Sequence, residues 1–394
     1  MSYRKFNADH LFTGSEIIHG NGVLITDLGG KVLDIVDKND AGDDIEVFKG
    51  LLTPGFINSH CHIELSHMKD MIPDKTGLVS FVQQVMSKRG IADELKFDAM
   101  RLAEQELYNS GTVAVGDICN TTDSIDIKQK SKMKWHNFIE VSGFTDALAE
   151  KRFEAIQEVA HQWTMDHGPW SIVPHAPYSV SKKLFQLLNE ATANQLISIH
   201  NQESEEENKL YEDKSGSFLE LYKNFGIDIT GFEPSGKTSF QTWLNYFTNN
   251  QSIILVHNTF TNQEDLDFVC RQSSIVHRPL HFCLCPNANK YIEGRMPPID
   301  LLRKNNCNIV IGTDSYASNW QLNMLEEIKT IQHKTAFSIP LEEILRWSTI
   351  NAARALQMDN ELGSFEKNKN PGVILIDEMN GLNVTMNSSA KRLL

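Results

Sequence analysis

The chain lacks any apolar run long enough to cross a bilayer. Its longest aliphatic stretches are of the size of Ile253-Ile254-Leu255-Val256, far below the roughly 20 residues that a span requires. Residues Met1 to Asn7 lack the apolar centre of a signal peptide, so a cytoplasmic protein with no membrane partner is expected. Cysteine is sparse: Cys61, Cys119, Cys270, Cys283, Cys285 and Cys307 are scattered through apolar segments without disulfide-like spacing, as suits a reducing compartment. Positive charge is short as well, with 37 Lys and Arg against 51 Asp and Glu. A net charge of −14 with no basic cluster repels a phosphate backbone, so nucleic acid is not an expected partner. No Gly-rich phosphate loop occurs, and nucleoside triphosphates and nicotinamide cofactors are therefore not implied.

No window is of low complexity, and with 41% hydrophobic and 22% charged residues the whole chain is expected to fold. Its 394 residues accommodate one α/β barrel of about 250 residues and a modest second domain. Residues 1–50 alternate short β-like pieces (Ile17 to Ile18, Val23 to Ile25, Val32 to Val36, Glu46 to Phe48) with Gly and Asp turns. The C-terminal segment, 365–394, resumes that character, with strands expected at Gly372 to Asp377 and Val384 to Met386. These ends are expected to pair into one small composite β domain flanking residues 51–364.

In that middle, apolar strand-sized runs alternate with helical patterns. The opening stretch Leu51 to His62 reads as a buried strand entered through Pro54-Gly55, and further strands are expected over Thr112 to Ile118, Trp135 to Val141, Ser171 to Pro174, Leu196 to His200, Ser252 to His257, His281 to Cys285 and Asn308 to Gly312. Eight parallel strands with intervening helices predict a (β/α)8 TIM-like barrel, whose functional residues gather at the C-terminal strand ends.

Titratable residues stand at those ends. Side chains alternate along a strand, so His60 and His62 leave on the same side. Strand four runs into His175, strand five ends in His200 with Glu203 three residues on, strand six ends in His257, and strand eight leads to Asp314. Imidazoles and a carboxylate suit a divalent ion such as Zn2+, and His60, His62, His200 and Asp314 supply such a set. Water on such an ion ionises near neutral pH. Glu203 faces the same cavity and suits general acid/base work, whereas Glu205, Glu206 and Glu207 read as a solvated helix start. Asp314 could alternatively cap the helix expected near Gln321, although its distance from that start argues for the ion. His257 suits polarisation of substrate or nucleophile, and His175, between two prolines, a fixed substrate contact. Two competing signatures fail. His281-x-Cys283-x-Cys285 lacks a Cys-x-x-Cys knuckle and fits barrel packing, and His62-Ile63-Glu64 lacks the Pro-Cys-x-x-Cys of the small zinc deaminases.

Several of these runs together resemble the amidohydrolase superfamily, specifically its mononuclear deaminase and chlorohydrolase branch. They are Pro-Gly-Phe-Ile-Asn-x-His-x-His at 54–62, Pro-His-Ala-Pro-Tyr at 174–178, His-Asn-Gln-Glu at 200–203, Val-His-Asn at 256–258, Cys-Pro-Asn-Ala-Asn at 285–289 and Gly-Thr-Asp-Ser-Tyr-Ala-Ser-Asn at 312–319. The resemblance covers nearly the whole chain. It implies one divalent ion, Zn2+ foremost and Fe2+ as the other candidate, on His60, His62, His200 and Asp314, because the carboxylated Lys of two-metal members is replaced by Val173-Pro174-His175. It implies attack of metal-bound hydroxide on a ring carbon bearing an amino group, with Asp314 taking the proton, Glu203 delivering one to the ring nitrogen, His257 assisting, His175 touching substrate and ammonia leaving. The run His62-Ile63-Glu64-Leu65-Ser66 resembles branches acting on adenine nucleosides, aminofutalosine among them, with Glu64 or Ser66 holding sugar hydroxyls. Hydrolytic dechlorination or dealkylamination of a triazine-like ring, and a catalytically silent scaffold, are the alternatives. A homodimer is the family's habit.

Overall fold

The protein is described by a computed structural model covering residues 3–90, 92–164, 167–273 and 278–394. Eight parallel strands carry its middle: Phe56–Cys61, Thr112–Cys119, Lys134–Val141, Trp170–Pro174, Leu196–Asn201, Ser252–His257, Leu280–Leu284 and Asn308–Ile311. They form two half-sheets, one of strands four, three, two and one, the other of strands five to eight. Two seams join the halves. At one, the backbone N–H groups of Thr313 and Asp314 donate to His60 O (3.1 and 3.0 Å), and Cys61 bridges Asp314 in parallel register. At the other, His200 N donates to His175 O (2.9 Å) and Ser171 Oγ to Leu196 O (2.6 Å). This is the expected (β/α)8 TIM-like architecture, joined at its seams by a few hydrogen bonds rather than by continuous ladders.

The strands read as unbroken apolar runs because both their faces are covered, one by the barrel interior and the other by helices. Ile253, Ile254, Leu255 and Val256 are all fully buried, and each such side chain contributes about 1.5–3 kcal/mol by leaving water. The outer helices mostly bury one face, although Pro286–Ile292 is buried almost all round. In Leu341–Ser348 the buried Leu341, Ile344, Leu345 and Ser348 fall at the i, i+3, i+4, i+7 spacing that lines one helical face.

The two ends of the chain do pair. Ile374–Ile376 runs antiparallel to Leu51–Thr53 and to Ala390–Arg392, in a sheet that also holds His10–Phe12 and Ile17–His19. A second sheet contains Val32–Asp37, Gly22–Asp27, Tyr3–Asn7 and Glu46–Val47. Two expectations are corrected here. The opening stretch is two strands, because Pro54 supplies no N–H for a ladder and Leu51–Thr53 pairs within the small sheet before the chain turns into the barrel. The last strand lies at Ala390–Arg392 rather than Val384 to Met386, where Val384 buries its side chain but only a turn follows.

Above the C-terminal ends of the barrel, residues 63–82 and 205–232 pack on each other. Met68, Ile72, Leu78 and Phe81 from the first stretch meet Leu210, Tyr211, Phe218 and Tyr222 from the second in an apolar cluster separate from the barrel core. Among the described residues, no helix is long and apolar enough to cross a membrane.

Candidate active site

Each chemistry-bearing residue sits where a barrel strand runs out. His60 and His62 close the first strand, His200 lies in the last turn of the fifth, His257 ends the sixth, and Asp314 follows the eighth; all five are buried. Backbone strain coincides with these positions. Gln202, His257 and Asp314 all have left-handed φ, at +46°, +74° and +60°. Non-glycine residues hold that conformation only where surrounding structure enforces it, and such residues gather at functional sites.

The donor atoms converge. His62 Nε2 lies 3.1 Å from His60 Nε2, 3.2 Å from His200 Nε2 and 3.4 Å from Asp314 Oδ1, and His60 Nε2 lies 3.6 Å from that oxygen. Protons alone cannot satisfy this arrangement, since His62 Nε2 faces two other ring nitrogens and can donate to one at most. A dication among the four relieves the conflict. Ligands about 2.0–2.1 Å from a tetrahedral Zn2+ stand about 3.3 Å apart, close to the four separations just given, while the mutually close group consists of the three histidines, with Asp314 at its edge.

Protonation states agree with ligation. Burial, with repulsion from His60, lowers His62 to about 3, and burial together with the surrounding histidines carries His200 well below its ordinary value. Both rings are neutral at pH 7, the form that binds metal. Burial works to raise Asp314, but the hydrogen bond from His60 and the facing histidines hold it well below the usual carboxylate range. Ser318 Oγ also donates to Asp314 Oδ2 (2.7 Å). The helix cap weighed for Asp314 is provided by Asn323, which accepts from Leu325 N (3.0 Å).

Beside this set, Glu203 Oε1 lies 3.4 Å from His257 Nε2. Burial, then Asp314, Glu293 and Glu207, push Glu203 well above the ordinary carboxyl range, which favours its protonated form. Burial lowers His257 to about 4. Its Nδ1 contacts Asn289 Oδ1 (3.2 Å), which fixes the ring's orientation. His175 is half-buried past the fourth strand, with Nδ1 on Ser179 Oγ (2.7 Å) and its ring 4.8 Å from that of His200.

Other expected residues are placed elsewhere or differently. Glu64 is engaged at both oxygens, by Asn120 N (3.0 Å), Thr121 N (3.2 Å) and Ser124 Oγ (3.4 Å). Ser66 Oγ donates to Ile63 O (2.7 Å). Both keep acceptor capacity beyond these bonds, Ser66 Oγ in its lone pairs and Glu64 at Oε1, whose one partner is 3.4 Å away. Glu207 is not a solvated acid: it is fully buried and accepts from Gln202 N (3.0 Å) and Ser239 Oγ (2.5 Å). Cys283 and Cys285 are buried among apolar neighbours, and among the described residues no metal-ready group includes them.

The framework also rests on residues not singled out in the sequence. Asn58 ties the first strand to the eighth, donating to Thr313 Oγ1 (2.7 Å) and accepting from Thr313 N (3.1 Å). Glu327 accepts from Asn287 and from Asn319 Nδ2 (2.8 Å) beneath the Asp314 loop. Asn58, Asn287, Asn289, Ser318 and Asn319 all lie inside the quoted runs and could have been found there, whereas Glu327 is one helix acid among many. Gly312 is required by close approach, because a Cβ there would lie 2.8 Å from His60 Cβ and 2.9 Å from its backbone N. Gly312→Ala is expected to push His60 aside and weaken metal binding about 10- to 100-fold, read by chelator competition.

A second expectation concerns acid. His62 and His257 are lowered to about 3 and about 4, so the unfolded chain binds more protons than the folded one below about pH 6.5, and their contribution to stability is lost as pH falls toward those values. His136 and His281, lowered by burial to about 4, act likewise, whereas Glu64 and Glu207, raised by burial to about 7, and Glu327, raised to about 8, act oppositely: their contribution is full below about 4.5 and is lost as pH rises through those values. The metal-free protein should therefore change its urea midpoint little from pH 7 to about 4.5 and lose it steeply from 4.5 to 3. A steady decline beginning at pH 6.5 would contradict this balance.

The comparisons with known proteins agree with this architecture. The amidohydrolase family model matches residues 51–391. The chain is 25% identical over 383 residues to the 5′-deoxyadenosine deaminase of Methanococcus vannielii, covering 92% of this chain and 82% of that protein. Its fold superposes on the Helicobacter pylori aminofutalosine deaminase in complex with methylthio-coformycin with a TM-score of 0.79 at 22% identity, over 99% of this chain and 100% of that one. A zinc-bound adenosine deaminase from Xanthomonas campestris gives a TM-score of 0.71 at 19% identity, over 95% and 84%. With a family model spanning all eight barrel strands and the pairing strand Ile374–Ile376, the chain belongs to the amidohydrolase family.

Proposed function

We propose that this chain is a metal-dependent aminohydrolase that removes the amino group from an adenine nucleoside-type substrate, releasing ammonia. One observation carries the reading: His60, His62 and His200 bring three ring nitrogens within 4.8 Å of one another, Asp314 Oδ1 lies 3.6 and 3.4 Å from the first two of them, and the Glu203–His257 pair stands beside them. The deaminase relatives support it through what they act on, and the zinc-bound neighbour supports Zn2+ as the ion, with Fe2+ as the alternative.

When bound, such an ion brings the pKa of a water to near 7 and so supplies a nucleophile at neutral pH. The remaining work falls to the protein. Asp314, ionised and held by Ser318, accepts the water's proton at its carboxylate. Glu203, protonated by virtue of its burial, delivers its proton to the ring nitrogen next to the reacting carbon, which lets that carbon accept the new oxygen. His257, neutral and anchored by Asn289, orients the attacking oxygen at its Nε2 and contacts Glu203. The proton taken by Asp314 then passes to the amino group, the C–N bond breaks and ammonia leaves, and the proton remaining on the new oxygen returns to Glu203 as the ring carbonyl forms. His175 contacts the substrate from the fourth strand.

A second cluster, Glu140, His175 and His200, also brings three potential ligands together. Its His200 Nδ1 is spent as a donor to His175 O (2.8 Å) and offers no lone pair, which favours a single ion. The homodimer and the cytoplasmic location expected from the sequence belong to the same proposal, and light scattering after size exclusion reads the first.

The experiment is ammonia release by metal-reconstituted protein across adenosine, 5′-deoxyadenosine, guanine, cytosine and a chlorotriazine. Turnover confined to the adenine nucleosides is expected. Chloride release from the triazine with no ammonia from the nucleosides would replace the proposed reaction with the dechlorinating one, and inactivity on all five would remove the substrate class.

A further inference from the structure

Glu140 stands at the C-terminal end of the third barrel strand, Lys134–Val141, and only 7% of it is exposed. One oxygen, Oε1, accepts from Asn120 Nδ2 (2.9 Å). The other, Oε2, is buried with no hydrogen-bond partner. The nearby ring nitrogen, His200 Nδ1, is 3.8 Å away and directs its proton to His175 O instead. A buried carboxyl oxygen without a donor is costly, and proteins rarely leave one unless a ligand or water completes it.

Its position says what completes it. His200 presents Nε2 to His62 and the ion-binding set, and Nδ1 toward Glu140, so Glu140 lies on the far side of that imidazole from the reacting centre. Half-buried His175 stands beside it, within the same 4.8 Å cluster. A donor reaching Oε2 therefore comes from a part of the substrate away from the ring carbon under attack. Because an acid accepts hydrogen bonds and repels anions, that part carries a hydroxyl.

We propose that Glu140 is a substrate-binding residue whose Oε2 accepts a hydrogen bond from a sugar hydroxyl of the nucleoside, with Asn120 as its positioning residue. The proposal rests on the nucleoside reading above. It also gives Glu64 a place: by accepting from Asn120 N and Thr121 N, Glu64 holds the loop that holds Glu140, and so acts on the sugar at second hand.

The test uses product nucleosides, which bind without turnover. Calorimetry on the metal-loaded protein compares inosine with 2′-deoxyinosine and 3′-deoxyinosine, in wild type, Glu140→Gln, Glu140→Ala and Asn120→Ala. Wild type is expected to bind inosine about 10-fold or more tightly than at least one deoxy analogue. Glu140→Ala should erase that preference while leaving metal content and the affinity for the deoxy analogue within about 2-fold of wild type. Glu140→Gln, which keeps an acceptor, should retain part of the preference, and Asn120→Ala should reduce it. A preference that persists in Glu140→Ala, equal binding of all three ligands by wild type, or a loss that is the same for every ligand and accompanied by loss of metal would each overturn the assignment. Binding of none of them by wild type would overturn it together with the nucleoside reading, whereas ammonia release from adenosine alongside any of the first three results would leave that reading standing.

Discussion

Replacing His200 by alanine is expected to empty the site of metal and to lower kcat/KM by at least about 10,000-fold, because the nucleophile is generated only on the bound ion. His200 supplies one of the two ring nitrogens that face His62 Nε2, and its removal leaves a buried hole beside two imidazoles and a carboxylate. Asp314→Asn should act in the same direction, since it removes the only formal negative charge of the ligand set and leaves Ser318 donating to an amide oxygen. Both variants should keep the fold, as neither touches the seam bonds made by backbone atoms of His60, Thr313 and Asp314. Metal content by plasma emission, set beside ammonia release, checks the pair. Retention of one ion per chain with full activity in either variant would remove that residue from the ligand set.

Glu203→Gln should separate chemistry from binding. The carboxyl is buried, pushed well above the ordinary range, and within 3.4 Å of His257 Nε2, but it is not among the donors grouped on His62. Glutamine fills the same volume and can hydrogen-bond, yet it cannot hand over a proton. The variant should therefore bind about one equivalent of metal and hold product nucleosides within a few-fold of wild type, while kcat falls about 100- to 10,000-fold. A loss of metal in Glu203→Gln would instead make this residue part of the ion site.

Much of the barrel was legible in the chain because each of its strands is covered on both faces and so reads as an apolar run, and the runs end on titratable residues. His60, His62, His200, His257 and Asp314 could be read as one rim from strand order alone, before any distance was known. What was not legible depended on partners far away in sequence. Glu207 sits in a run of acids that looks solvated, and only Ser239, 32 residues on, and Gln202 reveal it as a buried acceptor. Glu64 lies two residues past His62 and reads as a substrate contact, and its bonds to the backbone of Asn120 and Thr121 are visible only in the fold. Glu140 is a single acid ending an apolar strand, and its unpartnered oxygen is visible only once the fifth strand lies beside it. The break at Pro54 was read as a corner into one strand because local sequence does not show that Leu51–Thr53 finds its partner in Ile374–Ile376, more than 300 residues on.

The most direct measurement is anomalous diffraction from crystals of the metal-reconstituted protein, collected at the absorption edge of the ion. One peak is predicted, with His60 Nε2, His62 Nε2, His200 Nε2 and Asp314 Oδ1 each about 2.0–2.2 Å from it. A peak confined to Glu140 and His175, or to Cys283 and Cys285, or no peak at all in protein that releases ammonia, would contradict it.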